Sequence, residues 1–294
     1  MKKVSFLLAF FLLVTPIFSQ EMDEEPVDTT WQFGGVGTFT MSQVALYQWA
    51  AGGEPSISAA ALLNVFLNYN KDRVSWENNL DLGSGLIRQG RGEDALTKQS
   101  NNRIDFTSKY GLQASKKWFY SALLNFRTQF YKGFDYPNDS VLISDFFAPA
   151  YLTASLGMEY KPLNNFQVYI SPLTGKFTFV MNDSLSNIGK FGVDPGSKFR
   201  AELGGFLKIA YSLGIMENVD FSSNVTFFSN YLENPEQIDV NAEFLLAMTI
   251  NEFLTATINS MLIWDKDVVV QQDDGDEGSL QLKEVFGLGL SYKF

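Results

Sequence analysis

The sequence contains neither cysteine nor histidine, and both absences limit its chemistry. Without cysteine there is no disulfide framework, no thiolate metal site and no thiol nucleophile. Without histidine there is no serine–histidine relay and no imidazole acid or base. The 22 basic residues are outnumbered by 33 acidic ones, which argues against a nucleic-acid partner. The composition therefore predicts no catalytic residue, no metal site and no cofactor, with only carboxylate chemistry left open.

Long apolar runs are also missing, except at the N-terminus. Lys2 and Lys3 precede an apolar run from Ser5 to Phe18 that is too short to cross a bilayer as a helix. This order of segments is typical of a secretory signal peptide, which we assign to residues 1–19. We expect residues 20–30 to form an acidic periplasmic leader and residues 31–294 to form the folded domain.

The chain is instead rich in aromatic residues, at 15%, and in segments that alternate between apolar and polar residues. From Ile238 to Ile250 every second residue is apolar, and most of the residues between them are polar. Because a strand sends alternate side chains to opposite faces, such a segment has one apolar and one polar face. The pattern predicts twelve long strands, at 31–41, 56–69, 74–88, 103–115, 118–130, 151–160, 166–180, 199–212, 219–229, 238–250, 253–265 and 281–294.

The connections between these segments alternate between short and long. Outer-membrane barrels combine short periplasmic turns with longer external loops. We therefore predict an all-β fold, a transmembrane antiparallel up-and-down β-barrel of about twelve strands. Its location would be the bacterial outer membrane, with both termini in the periplasm. Pro172 and Gly175 interrupt the seventh segment, which we expect to bend or split.

Aromatic residues gather near the ends of the predicted strands, where interfacial girdles lie in membrane barrels. The last strand alternates strictly and ends with Tyr292 and Phe294, similar to the C-terminal insertion signal that the barrel-assembly machinery reads. The girdle candidates on the apolar face are Trp31, Tyr69, Trp76, Tyr110, Trp118, Tyr120, Tyr160, Tyr211, Trp264 and Tyr292.

Four patches of sequence carry a resemblance to a known family. They are Trp49-Ala50-Ala51-Gly52-Gly53, the stretch from Ser144 to Tyr151, the stretch from Ser171 to Lys176, and the closing Tyr292-Lys293-Phe294. They resemble an uncharacterised outer-membrane barrel family of the Bacteroidetes. The resemblance implies a barrel in the outer membrane of that bacterial group. The family has no assigned activity, so the resemblance gives no residue a catalytic role.

Charged residues of both signs fall on the predicted inward face. We expect Arg103, Asp105 and Lys109 to lie near Glu77, Asp81 and Arg127 on the neighbouring strands. Two interpretations are open: a salt-bridged and partly plugged lumen, or a polar permeation path. Eight strands fill a barrel interior and sixteen leave a channel, so twelve lie between these limits. The inward candidates are Glu77, Asp81, Arg103, Asp105, Lys109, Arg127, Glu159, Arg200, Glu202, Lys208, Asp220, Asp239, Glu243 and Lys283.

Two loops are further candidates for binding. Trp49, Gly52 and Gly53 lie in a loop whose glycines allow close backbone approach, or in a turn with Trp49 at the interface. An aromatic loop contains Asp145, Phe146, Phe147 and Pro149, and it would either pack over the lumen or contact lipid or a partner.

Two other motifs are weaker candidates. The acidic tip at 273–277 could hold Ca²⁺, although a solvated tip fits its spacing better. The stretch from Ser171 to Lys176 lacks the spacing of a phosphate-binding loop.

These features favour a porin-like or transport barrel for a small or hydrophobic solute, with a partly plugged polar lumen. The alternative is a structural or assembly component of the outer membrane that binds lipid or a partner. A soluble secreted β-sandwich is the third hypothesis. The expected partners are outer-membrane lipid, the barrel-assembly machinery during insertion, and a small solute.

Overall fold

A computed structural model describes residues 30–46, 54–92, 95–136, 138–265 and 280–294. Twelve strands form a closed antiparallel barrel, in which each strand pairs with its neighbours along the chain and the last pairs with the first. The barrel strands are β1 (Trp31–Val44), β2 (Ser56–Lys71), β3 (Val74–Gln89), β4 (Leu96–Gln113), β5 (Trp118–Thr128), β8 (Ala150–Leu163), β9 (Phe166–Phe179), β10 (Phe199–Met216), β11 (Val219–Asn230), β12 (Ile238–Thr249), β13 (Leu254–Trp264) and β14 (Leu280–Lys293).

The connections that join these strands differ in length at the two ends of the barrel. One end has only the short turns 72–73, 114–117, 164–165, 217–218 and 250–253. At the other end lie the longer connections 45–55, 90–95, 129–149, 180–198, 231–237 and 265–279. The predicted twelve-strand barrel with alternating connections is confirmed. In the part of the chain that the structure describes, no helix has the length and apolar character needed to cross a bilayer.

The alternation of the sequence determines which side chains point out of the barrel. Large apolar residues such as Phe39, Leu156 and Phe286 are exposed on the outer face. The inward positions carry glycine, serine, threonine, asparagine and charged residues. A closed sheet pairs its backbone groups internally, which is the requirement for a chain that crosses hydrocarbon.

Aromatic side chains form a row on the outer face near the short turns. Trp31, Tyr69, Trp76 and Tyr110 are successive register partners on β1 to β4. The ring of Trp31 lies 4.9 Å from that of Tyr69 and 6.2 Å from that of Trp76, measured between centroids. The row has the position and composition of an interfacial girdle.

Strand β9 bends at Pro172 without splitting. Opposite β10, Thr174 pairs with Gly204 and Ser171 with Phe206, so β9 holds one residue more than its partner. The same extra residue is present against β8. This is a β-bulge, and it reverses the inward and outward positions of the strand beyond it. Of the two expectations for this segment, a split is wrong, and the irregularity at Pro172 is a bulge within one continuous strand.

Several predicted boundaries were wrong. β4 begins at Leu96 and not at 103, because the polar stretch before Arg103 pairs with β3 although it lacks apolar alternation. β8 continues through Lys161 to Leu163, and β10 continues to Met216, so two of the turns are shorter than predicted. In each case pairing with a neighbouring strand extends the strand beyond the residues that alternate.

Two of the longer connections are folded rather than open. Within 129–149, β6 (Gly133–Asp135) and β7 (Asn138–Ser144) form a separate two-stranded sheet. Within 180–198, α1 (Asp183–Asn187) starts at Asn182, whose side chain accepts hydrogen bonds from the backbone N–H groups of the first turn. The two connections share a small buried core, which consists of Ala148, Val180, Leu185 and Val193. They therefore form one folded cap at the long-loop end.

Candidate functional site

The inward charges form three groups along the barrel. The short-turn cluster comprises Glu77, Lys109, Glu159 and Lys161. Lys109 lies 2.8 Å from Glu77 and also contacts Glu159, and Lys161 lies 2.5 Å from Glu77 and 3.1 Å from Glu159. Two acids and two bases thus alternate in a ring contributed by β3, β4 and β8. Glu159 is the most deeply buried member, with 1% of its side chain exposed.

The central bridge is the ion pair between Arg103 and Glu243. The two guanidinium nitrogens of Arg103 donate to the two carboxylate oxygens of Glu243 at 2.9 and 3.3 Å. Arg103 also donates to Asp105 at 3.0 Å, and Asn259 donates to Glu243 at 3.2 Å. β4 and β12 are separated by the same number of strands in both directions around the barrel. The central bridge therefore crosses the lumen between opposite walls.

The long-loop cluster lies where the strands approach the cap. Lys176 lies 2.8 Å from Asp239, 3.7 Å from Glu202 and 3.8 Å from Asp265. Arg200 lies 3.4 Å from Glu202 and donates to the carbonyl oxygen of Gly192 at 3.1 Å. The cluster therefore joins β9, β10 and β12 and ties them to the cap.

The interior is packed on one side and open on the other. On β8 and β9 the inward side chains of Ser155, Tyr169, Ser171 and Thr174 are almost completely buried. On β14 the inward Val285 is 38% exposed. The inward positions of β13, β14, β1 and β2 include the large residues Leu62, Phe66, Met261 and Ile263 and the small residues Thr257, Gly287, Gly289, Thr38, Thr40, Ser58 and Ala60. Solvent reaches the inner face of this side at Val285 and Leu62.

The remaining inward candidates belong to none of these three groups. Asp81 accepts hydrogen bonds from Asn64 and Asn79 at 2.6 and 2.7 Å. The guanidinium of Arg127 lies over the ring of Tyr151 at 5.4 Å. No ion pair within the described residues involves Lys208 on β10 or Lys283 on β14. Both lysines lie on inward positions, since Lys208 pairs in register with Tyr169 and Lys283 with Met261. Asp220 is inward on β11, next to a short turn.

Sequence reasoning missed two inward lysines. The predicted strand 151–160 leaves Lys161 in the following turn, but β8 extends through it to Leu163. By uninterrupted alternation Lys176 would point outward, and the bulge at Pro172 turns it into the lumen. This reversal of inward and outward positions can be seen in the sequence. Beyond the proline, the polar residues Thr174, Lys176 and Thr178 alternate with Leu173, Gly175 and Phe177.

The aromatic loop lies against the outside of the barrel. The ring of Phe147 lies 5.4 Å from that of Phe126, an outward residue of β5, and Phe146 is exposed. The side chain of Asp145 accepts a hydrogen bond from Asn182 of the cap at 2.9 Å. Pro149 accepts one from Thr128 at 3.0 Å. Of the two interpretations of this loop, its geometry favours contact with lipid over packing across the lumen.

Other candidates lie elsewhere or outside the described residues. Tyr292 and Phe294 point outward, and Phe294 exchanges two backbone hydrogen bonds with Gly35 at the junction of β1 and β14. Trp49, Gly52, Gly53, the acidic tip at 273–277 and residues 1–29 are outside the described part of the chain. Within the described ranges no group of three acidic residues is placed to hold a metal ion.

Residues 41–134 match a family model described as "Protein of unknown function (DUF3078)". No curated protein matches the sequence. Among solved structures, the NanC porin is similar over 89% of this chain and 100% of its own, with 10% identity and a TM-score of 0.42. An outer-membrane channel from Pseudomonas putida F1 is similar over 92% and 99%, with 12% identity and a TM-score of 0.40.

A variant of the TodX monoaromatic hydrocarbon channel is similar over 90% of this chain and 83% of its own, with 10% identity and a TM-score of 0.34. At these values the similarities do not assign a function to this chain.

Proposed function

We propose that this protein is a porin-like barrel for the passive transport of a small solute through a partly plugged polar lumen. The observation that carries the proposal is the asymmetry of the interior. The central bridge and the two charge clusters occupy part of the cross-section, and the open side formed by β13, β14, β1 and β2 leaves a path beside them. A barrel that served only as a scaffold would have no need of this open side.

The lining of the lumen favours small polar groups over large ones. The charges of both signs that line the interior give it no strong preference for anions or cations. The central bridge narrows the cross-section at mid-height, because its two side chains meet from opposite walls. Size would therefore limit passage more than charge does.

The location that fits this function is the bacterial outer membrane, with the short turns and both termini in the periplasm. The exposed apolar outer face and the aromatic row support a membrane location. The signal peptide at residues 1–19, the acidic leader at 20–30 and an origin in the Bacteroidetes belong to the same proposal, and they rest on the sequence alone. We also propose that Tyr292 and Phe294 are read by the barrel-assembly machinery during insertion.

The test is single-channel recording of the purified protein in planar bilayers. We expect a small, steady conductance from the wild type. The Arg103→Ala variant should conduct several-fold more, because it removes the longer side chain of the bridge. Arg88→Ala is the matched control, since Arg88 is on the outward face of β3 and, among the described residues, its side chain hydrogen bonds to Gly92 alone.

Two results would contradict the proposal. One is a wild type that inserts stably and does not conduct, together with an Arg103→Ala variant that is equally closed. The other is an Arg103→Ala variant whose conductance equals that of Arg88→Ala. In that case ions would not pass the central bridge.

A further inference from the structure

The junction between β1 and β14 is paired over only part of its length. The ladder runs from Val36 with Lys293 to Thr40 with Gly289. Beyond these pairs β1 continues to Val44, paired with β2, and β14 extends back to Leu280, paired with β13. Neither strand has ended, but no residue of 41–46 pairs with 283–288, which lie opposite them in register. The residues that would face 280–282 lie outside the described part of the chain. We call the unpaired part, 41–46 and 283–288, the seam.

The hydrogen-bonding pattern shows which backbone groups the seam leaves open. Gly35 and Phe294 exchange both of their backbone hydrogen bonds across the junction, whereas Ser291 donates to Phe253 on the β13 side. Since bonding directions alternate along an antiparallel strand, even-numbered residues of β14 face β1. Glu284 and Phe286 therefore direct N–H and C=O groups into the seam.

Unpaired backbone groups of this kind are costly in hydrocarbon, at several kcal/mol each. The seam is consequently a place where water or a polar group must reach the barrel wall. The strands also separate at the side-chain level. A Cβ on Gly289 would lie 2.5 Å from atoms of Phe39 and Thr40, whereas one on Gly287 would be 3.8 Å from its nearest β1 atom.

Polar side chains lie on both faces of the seam. Lys283 points into the lumen and is exposed there, and no ion pair within the described residues involves it. Glu284 points outward, where Ser260 donates a hydrogen bond to it at 3.4 Å. On the outer face Glu284 lies between Leu282 and Phe286, which are 68% and 70% exposed. A carboxylate among lipid-facing residues is unfavourable unless water reaches it.

We propose that the seam is a lateral portal that admits an amphiphile with an anionic head group and a hydrocarbon chain. Lys283 attracts the head group into the lumen, and the chain lies along Leu282 and Phe286 in the membrane. The open wall behind the seam, with Val285, Gly287 and Thr40, provides the space for the head group. The portal depends on the proposed transport function, since it names the class of solute and its route of entry.

Photolabelling tests the portal directly. Proteoliposomes of the full protein are illuminated with dodecyl phosphate that carries a terminal diazirine, and labelled residues are mapped by mass spectrometry. We expect labelling concentrated on 41–44 and 280–288. The Lys283→Gln variant should reduce phosphate labelling roughly five-fold, the effect of losing one exposed charge pair. A dodecanol probe with the same diazirine should label both proteins equally.

Lys293→Gln is the matched control, because Lys293 is on the same strand and the same face but within the paired part of the junction. It should leave labelling unchanged. Labelling spread evenly around the apolar face, or equal loss in both variants, would overturn the portal.

Cysteine cross-linking tests whether the two strands are separated at the seam. Since the sequence has no native cysteine, every disulfide would come from the introduced pair. If the ladder continued in register, Val44 would face Val285. We expect the Thr38→Cys/Ser291→Cys pair to oxidise fully, since these two residues are register partners. The Val44→Cys/Val285→Cys pair should stay reduced, because a disulfide needs Cα atoms within about 7 Å. A longer bis-maleimide across the second pair should suppress phosphate labelling.

The results separate the portal from the transport function. Complete oxidation of the Val44→Cys/Val285→Cys pair would overturn the portal. A detergent-corrected mass of two chains would also overturn it, because the seam would then be the interface of an edge-to-edge dimer. A conducting barrel without label at the seam would overturn the portal and leave transport standing. A labelled barrel without conductance would overturn transport.

Discussion

Single charged residues determine how the barrel interior is filled. In the short-turn cluster each lysine contacts both glutamates, so no member is left with one partner. Such a ring compensates the cost of removing charges from water, which an isolated buried pair often does not. The inward position of Glu77, Lys109 and Glu159 was expected, because alternate residues of a strand point to opposite faces. Their contacts with Lys161 were not, because the predicted strand 151–160 ends before Lys161, whereas β8 extends to Leu163.

Glu159→Gln should destabilise the folded barrel by about 3 kcal/mol, because it leaves an excess buried positive charge in the short-turn cluster. The substitution keeps the shape of the side chain, so packing changes little. The measurement is denaturant unfolding in detergent micelles, followed by tryptophan fluorescence.

Asp183→Asn provides the comparison for this prediction. Asp183 pairs with Lys198 at 2.5 Å in the cap, and its side chain is 79% exposed. Removing this exposed pair should change the free energy of unfolding by less than about 0.5 kcal/mol. Equal effects of the two substitutions would show that Glu159 is not held in a buried ring.

At the scale of elements, the alternating sequence predicted nearly all of the barrel strands, because each buries one face and exposes the other. It failed where that rule does not apply. The start of β4 is polar on both faces, and β6, β7 and α1 lie in connections that lack periodicity. The bulge in β9 was anticipated only as a bend at Pro172. The seam could not be predicted, since the pairing of β1 with β14 joins opposite ends of the chain.

Deleting Pro172 together with Leu173 should prevent the barrel from folding. Ser171 pairs with Phe206 and Thr174 with Gly204, so this deletion leaves β9 one residue short between the two pairs. Lys176 would then face lipid and Phe177 the lumen. A lysine on the lipid face costs up to about 2–4 kcal/mol, and the long-loop cluster would lose its only lysine from β9. Loss of heat-modifiable gel mobility is the measurement. Deleting Pro172 alone removes only the extra residue, keeps Lys176 in the lumen and should fold, and a folded double-deletion variant would contradict the reversal assigned at Pro172.

Gly157→Ala should destabilise the barrel opposite this bulge. A Cβ at Gly157 would lie 2.1 Å from the carbonyl oxygen of Ile170, and backbone cannot move aside as a side chain does. Overpacking of this kind costs about 1–3 kcal/mol. At Gly37, on the outer face of β1, a Cβ meets nothing within 4 Å, so Gly37→Ala is the control. The midpoint of denaturant unfolding should fall for the first variant alone.

On the scale of the whole molecule, the two ends of the barrel differ in a way that suggests its orientation. One end has only short turns, and the other carries the folded cap and a charged cluster. Longer connections face the outside in outer-membrane barrels. The proposed orientation would place the aromatic row of Trp31, Tyr69 and Trp76 at the inner boundary of the membrane, and the seam in its outer half. An amphiphile that enters through the seam would therefore come from the outer leaflet.

Cysteine labelling of intact cells tests this orientation, since every signal comes from an introduced cysteine. Glu236→Cys lies in the connection 231–237 at the capped end, and Lys116→Cys lies in the turn 114–117, and both positions are exposed. A membrane-impermeant maleimide should label Glu236→Cys in intact cells and Lys116→Cys only after the outer membrane is permeabilised. The opposite order would place the capped end in the periplasm and the seam in the inner leaflet. Labelling of neither position after permeabilisation would argue against an outer-membrane location.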